Sequence, residues 1–178
     1  MFEDNGETHV LDIVSDGICP CCCIGTGHLG VALELVGDDI LFDTRWRPFE
    51  PNPDMPRDGL NRKTSRSRKF GGWERSRALD AQVKQTGASA CLTFHYERMA
   101  TTPNTFASHV LGRLAGEAGL QDIVVEAIFR AYLTDGLAIP DPDVLADLAA
   151  GCGLDQTVSA HRQPLASRPW SSTSFFPC

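Results

Sequence analysis

The sequence predicts an α/β protein that starts with a strand, a helix and a second strand and then becomes mainly helical. An apolar run at residues 10–14 precedes a cysteine-rich turn and a helix-like run at residues 24–36. Further apolar runs follow at residues 40–42 and 46–49, and helical spacing dominates from about residue 60. The length of 178 residues suits one domain, or one domain with an insertion.

The first three elements are predicted to form a βαβ unit. Residues 10–16 are typical of a short buried strand, and Gly37 is a plausible end for the helix after it. The short connections predict that the two strands are parallel. One face of the helix is predicted to be buried, and its residues are Leu29, Ala32, Leu33 and Val36.

Three later helices have clear start and stop signals. Asn104 or Thr105 can cap the first, and Gly119 can end it. The second has the longest amphipathic stripe and ends near Gly136; the stripe consists of Leu120, Ile123, Val124, Ala127, Ile128, Ala131 and Tyr132. Asp141 followed by proline predicts the start of the third.

Four of the seven cysteines lie in the run Cys19-Pro20-Cys21-Cys22-Cys23, between the first strand and the first helix. A helix N-terminus offers unpaired backbone N–H groups and a partial positive charge, which stabilise a thiolate. We therefore expect Cys19 to have a depressed pKa and to act as a nucleophile, with Cys22 resolving the mixed disulfide. Pro20 suits the first helical turn because it lacks an N–H group.

Net charge and the distribution of apolar residues indicate which binding partners and which cellular compartment to expect. The formal net charge of −7 argues against broad binding to nucleic acid or anionic membranes. No apolar run approaches the ~20 residues of a membrane span, and the acidic N-terminus lacks the apolar core of a signal peptide. These features predict a cytoplasmic protein, in which clustered cysteines are catalytic or metal-binding rather than structural.

Several segments together resemble one family of thiol–disulfide enzymes. Residues 15–25, which read S-D-G-I-C-P-C-C-C-I-G, resemble the pattern S-D-x-x-C-P-W-C-Y-I-G of the DsbA-like thioredoxin-fold oxidoreductases of the FrnE type. Residues 45–56 resemble the second strand and the following loop of that family. Residues 102–105, 121–132 and 143–149 resemble its helical insertion. The group also includes relatives of 2-hydroxychromene-2-carboxylate isomerase and of kappa-class glutathione transferases.

The resemblance implies a thioredoxin-like fold with an all-α insertion. It divides the chain into an N-terminal βαβ half at residues 8–56, a helical insertion at 57–155 and an irregular or disordered tail at 156–178. Nothing after Asp155 resembles the remaining strands, the last helix or the cis-proline loop of the fold, so these are expected to be missing. The first strand would then present an unpaired edge through which two copies could associate.

The implied activity is thiol–disulfide exchange on a protein or small-molecule substrate, through the dithiol Cys19-Pro20-Cys21-Cys22. Cys19 and Cys22 are the expected catalytic residues, and Pro20 and Cys21 support them. The resemblance implies no cofactor and no resident metal, with glutathione as a redox partner. Cys21 and Cys23 stand where the family has Trp and Tyr, so they should alter the redox properties.

Two alternative functions remain open. One is a glutathione-dependent isomerase of small aromatic compounds, although the related isomerases have serine at the position of Cys19. The other is a non-enzymatic thiol protein that binds a soft metal through the four clustered cysteines.

Residues outside the cysteine run have plainer interpretations. Cys91 and Cys152 lie among apolar positions and are predicted to be small core hydrophobes. A basic run is predicted to be a solvated helix face; it consists of Arg62, Lys63, Arg66, Arg68 and Lys69.

Overall fold

The predicted βαβ unit is present in the structure, a computed structural model that describes residues 8–37 and 40–154. Strand β1 spans Thr8–Ser15, helix α1 spans Pro20–Val36 and strand β2 spans Leu41–Pro48. The two strands are parallel, with Thr8 opposite Leu41 and Ser15 opposite Pro48. The prediction of parallel pairing is therefore confirmed.

The two faces of this sheet have different surroundings. Trp46 is buried and Ile13 packs against the core on the inner face. On the other face Val10 and Val14 are 54% and 64% exposed, and an ion pair joins Asp12 to Arg47 at 2.9 Å. Within the described ranges β1 pairs only with β2, which leaves its other edge without a strand partner there.

Helix α1 buries a different face from the one predicted. Leu29 and Leu33 are half-buried, whereas Ala32 and Val36 are exposed. The buried residues are instead Cys23, Ile24, Thr26, Gly27 and Gly30. Small residues allow α1 to approach the helical layer closely, since a Cβ atom at Gly27 would lie 3.9 Å from Ala90. The prediction looked for large apolar residues at helical spacing, and it therefore missed a buried face that consists mostly of small residues.

The rest of the described chain is mainly helical. Its helices are α2 (Arg62–Phe70), α3 (Trp73–Ala88), α4 (Phe106–Glu117), α5 (Gln121–Leu133) and α6 (Pro142–Gly151). Strands β3 (Leu60–Asn61) and β4 (Thr101–Thr102) form a short antiparallel pair, and Tyr96–Arg98 form a 3₁₀ turn. The caps follow the sequence signals, because Asp141 accepts a hydrogen bond from the N–H of Asp143 and Gly119 has a positive φ.

Helix α5 lies at the centre of the core and connects the β1–β2 sheet to the other helices. Val124, Ile128 and Phe129 are almost fully buried, and Phe129 meets Trp46 edge-on at 6.2 Å between ring centroids. The start of α5 also binds β2. The side-chain oxygen of Gln121 accepts from the Trp46 N–H at 3.0 Å, and Asp122 accepts from the Trp46 indole at 2.6 Å.

The C-terminal predictions lie beyond the part of the chain that the structure describes. Residues 155–178 are not described, so the tail at 156–178 and the expected loss of the last strands remain predictions. No helix within the described ranges combines the length and apolar content that crossing a membrane requires.

Two glycines in helices provide a matched test of the packing. A Cβ atom at Gly87 would lie 2.7 Å from Cε2 of Phe94, whose side chain is 1% exposed and cannot move aside. At Gly25 nothing lies within 4 Å. Gly87→Ala should therefore lower the free energy of unfolding by about 1–3 kcal/mol through overpacking. Gly25→Ala should raise it by roughly 0.5–1 kcal/mol.

Denaturant unfolding of both variants measures these changes. Equal effects of the two substitutions would contradict the close contact between α3 and Phe94.

Candidate active site

A buried aspartate shapes the turn between β1 and α1. The side chain of Asp16 accepts a hydrogen bond from the N–H of Ile18 at 2.9 Å. The backbone carbonyl of Asp16 accepts another from the N–H of Cys19 at 3.0 Å. Asp16 is 2% exposed, and burial raises the pKa of its carboxyl. These bonds reverse the chain directly in front of the cysteine run. Sequence reasoning assigned no role to Asp16, although an acid between a strand and a C-x-x-C pair was visible.

The turn also contacts the helical layer. Thr105, at the start of α4, donates to the second carboxylate oxygen of Asp16 at 3.3 Å. A Cβ atom at Gly17 would lie 2.7 Å from a methyl group of Ile128, so a residue with a side chain would push α5 away. The cysteine run therefore has a defined position relative to both α4 and α5.

The four clustered cysteines point in different directions. Cys19 is the N-cap residue of α1, with Pro20 in the first turn as predicted. Cys19 and Cys22 are half-buried, Cys21 is exposed and Cys23 is 3% exposed; all four are free thiols. The helix therefore separates Cys21 and Cys23 from the central pair.

Cys19 and Cys22 share a hydrogen bond, and this bond determines which sulfur carries the proton. The hydrogen bond from Cys19, aided by one from the backbone of Asp16, lowers the pKa of Cys22 to about 6 against the opposing effect of burial. The same bond, together with burial, raises the pKa of Cys19 above its ordinary value. The expected depression of the Cys19 pKa is therefore wrong for this geometry, because the hydrogen bond that Cys19 donates favours the anion on Cys22.

The other two cysteines of the run do not share this environment. Burial, with a smaller contribution from the carboxyl of Glu126, raises the pKa of Cys23 to about 12. Burial likewise raises the pKa of Glu126 itself to about 8. The described ranges contain no group of three or more His, Cys, Asp or Glu side chains placed to hold a metal ion.

The cysteines outside the run differ from each other. Cys91 is exposed and has a φ of 57°, so the prediction that it is a core residue is wrong. The left-handed backbone at this position places the side chain outside the core. Cys152 is half-buried and packs against the core.

A cavity of about 1020 Å³ lies beside the turn, between β2 and helices α4 and α5. Ser15 and Gly17 line it at the end nearest the dithiol, and Trp46 and Ile128 contribute apolar surface. His109 also lines it, and within residues 8–37 and 40–154 its buried Nε2 atom has no hydrogen-bond partner. The cavity therefore has apolar surface and an available polar group next to the cysteine run.

A C-x-x-C pair that begins a helix after a β-strand, with a parallel second strand, is the arrangement of thioredoxin-like redox proteins. The chain belongs to the DSBA-like thioredoxin domain family, whose model matches residues 10–163. The fold class predicted from the sequence, a thioredoxin-like unit with a helical insertion, is thereby confirmed.

Two solved structures are similar to this chain. A probable DsbA oxidoreductase from Streptomyces coelicolor is 27% identical with a TM-score of 0.73, over 82% of this chain and 63% of the other. A candidate protein disulfide isomerase from Nitrosomonas europaea is 16% identical with a TM-score of 0.56, over 83% of this chain and 66% of the other. This second likeness shows the fold alone. No curated protein matches the chain.

The pH dependence of thiol alkylation tests the shared hydrogen bond. Alkylation at the Cys19–Cys22 pair should be half-maximal near the Cys22 pKa of about 6 and should fall as the pH drops through that value. Cys19→Ala removes the largest cause of the lowering, so the half-maximal pH should rise in that variant. Peptide mapping after timed iodoacetamide treatment measures both.

Cys21→Ala is the matched control, because Cys21 is exposed and is not among the groups that lower the Cys22 pKa. This variant should keep the wild-type profile. An unchanged profile in Cys19→Ala would contradict the assigned bond.

Proposed function

We propose that this chain is a thiol–disulfide oxidoreductase of the FrnE type that works through the Cys19–Cys22 dithiol. The observation that carries the proposal is the hydrogen-bonded pair of free thiols at the start of α1, one of which has a pKa lowered to about 6. At neutral pH the Cys22 thiolate can take the proton of the Cys19 thiol, which makes Cys19 the attacking sulfur in disulfide exchange. Membership of the DSBA-like thioredoxin domain family supports the same chemistry.

In the first step Cys19 attacks and Cys22 acts as its base. The Cys19 thiol donates its hydrogen bond to the Cys22 thiolate, so its proton passes to Cys22 as the Cys19 sulfur attacks. A bond forms between Cys19 and one substrate sulfur, the substrate disulfide breaks, and the other substrate sulfur leaves as a thiolate. Cys19 suits the attack because it precedes the helix, whereas Cys22 packs against the core.

In the second step Cys22 resolves the mixed disulfide. Its proton moves to the departed thiolate or to water, and the Cys22 sulfur then attacks Cys19 and releases the second substrate thiol. The protein ends with a Cys19–Cys22 disulfide and the substrate is reduced by two electrons. The same steps in reverse oxidise a dithiol substrate.

The surroundings of the dithiol support a substrate that carries a disulfide or a thiol. The cavity beside Ser15 and Gly17 adjoins the turn that precedes the dithiol, and its lining is both apolar and charged. Glutathione or another thiol would regenerate the pair, and no cofactor is part of the proposal. No described contact favours the isomerase alternative, which remains a prediction.

The remaining predictions belong to the same proposal. A cytoplasmic location stays a prediction from the sequence, because Cys91 is disulfide-bonded whereas Cys19, Cys21, Cys22, Cys23 and Cys152 are free thiols. The boundaries at 8–56 and 57–155 would separate the redox half from the helical insertion. Association of two copies through the β1 edge would give that strand a second pairing partner.

Trapping of the mixed disulfide tests the roles of the two cysteines. Cys22→Ala removes the resolving thiol, so a covalent adduct with a disulfide-containing peptide should accumulate and dissociate on reduction. Cys19→Ala should form no such adduct at residue 22. Both variants should lose at least about a hundredfold in the rate of turnover, since each lacks half of the dithiol.

Mass spectrometry of the trapped species separates the outcomes. Accumulation in Cys19→Ala instead would reverse the assigned roles. Undiminished turnover in both variants would overturn the proposal that the dithiol is the active site.

A further inference from the structure

One arginine of the basic run is buried and a second is half-buried, which contradicts the prediction of a solvated helix face. Arg62 is 5% exposed, and its Nη2 atom lies 2.7 Å from one carboxylate oxygen of Asp80. Arg66 lies 2.6 Å from the other oxygen of the same carboxylate and also donates to Ser76 at 2.7 Å. Lys63, Arg68 and Lys69 are exposed, as predicted. The first turns of α2 therefore face inward against α3.

This cluster contains more positive than negative charge. The two guanidinium groups share one carboxylate, and the side chain of Asp80 is 10% exposed with both oxygens occupied. Burial lowers the pKa of Arg66, which shows that its charge is poorly solvated. Burying a charge without a full counter-charge is unfavourable. An additional anion would therefore stabilise the cluster.

Aromatic rings enclose the guanidinium of Arg62. Its central carbon lies 5.2 Å from the Tyr96 ring centroid and 5.7 Å from that of Trp73. The hydroxyl of Tyr96 is buried and has no hydrogen-bond partner among the described residues. A buried hydroxyl without a partner costs free energy unless a ligand or water satisfies it.

A cavity of about 410 Å³ lies beside the side chains of α2, α3 and the 3₁₀ turn. Arg62, Tyr96 and Trp73 line it, and exposed Lys63 and Arg77 add positive charge at its edge. Two acids line it. Asp80 has both carboxylate oxygens paired with Arg62 and Arg66. Glu97 is exposed, and its carboxylate lies 2.7 Å from the His95 ring.

The start of α3 adds to the positive potential. Trp73 is its first residue, and the preceding Gly72 provides no side-chain cap for the N–H groups of the first turn. Glu74 in that turn is 82% exposed and lies 3.5 Å from Arg77. The positive end of α3 therefore lies at Trp73, which lines the cavity.

From this arrangement we propose that the cavity binds a small oxyanion, as a phosphate or carboxylate group. The anion would accept a hydrogen bond from the Tyr96 hydroxyl and offset the excess charge of Arg62 and Arg66. Lys63 would strengthen binding from the edge of the cavity. This site is built from α2, α3 and the 3₁₀ turn, and it is separate from the dithiol.

Calorimetric titration of the whole chain with inorganic phosphate tests the site, with chloride keeping the ionic strength constant. The wild-type protein should bind one phosphate. Tyr96→Phe removes only the unpartnered hydroxyl, so it should weaken phosphate binding roughly tenfold, as expected for one lost hydrogen bond to an anion. The same variant should unfold at the wild-type temperature or above it, because no existing hydrogen bond is lost.

Lys63→Gln and Lys69→Gln form a matched pair with the same change in net charge. Lys63 lines the cavity, whereas Lys69 donates to Asn52 outside it. Lys63→Gln should weaken phosphate binding about two- to fivefold, and Lys69→Gln should leave it unchanged.

Three results would each overturn the proposal. The first is the absence of phosphate binding by the wild-type protein at millimolar concentrations. The second is unchanged affinity in Tyr96→Phe. The third is an equal loss in the two lysine variants, which would indicate a general effect of net charge.

Discussion

The buried carboxyl group of Asp16 is the contact on which the candidate site depends. It joins the end of β1 to the start of α1 through Ile18, and it joins both to α4 through Thr105. Without these bonds the chain could leave β1 in several directions, and α1 would have no defined starting point. The position of the dithiol therefore follows from one acid that is 2% exposed.

The same turn influences the chemistry of the cysteines. The backbone of Asp16 stabilises an anion on Cys22, while the nearby Asp16 carboxyl opposes it. Burial keeps the pKa of that carboxyl high, which reduces this opposition in the pH range where it is protonated. The site thus balances donors that favour a thiolate against burial that disfavours it.

Local signals in the sequence were sufficient for the order and direction of the main elements. Pro20 and the Asp141-Pro142 pair predicted where α1 and α6 start, and short connections predicted the parallel strands. These features depend on residues close together in the chain. The dithiol was predicted for the same reason, since both cysteines lie within one helical turn.

Features that depend on distant partners were not predictable in this way. The burial of Arg62 requires Asp80, which is 18 residues away. The pKa order of Cys19 and Cys22 depends on the direction of one hydrogen bond between two similar side chains. The buried face of α1 depends on close approach to Ala90, which favours glycine over larger apolar residues.

A redox titration of the intact protein in glutathione buffers, quenched by alkylation and mapped by peptide mass, tests the central claim most directly. The account predicts one reversible disulfide between Cys19 and Cys22 at a defined potential, with Cys21 and Cys23 remaining alkylated as free thiols. A disulfide that involves Cys21 or Cys23, or no reversible pair at all, would contradict it.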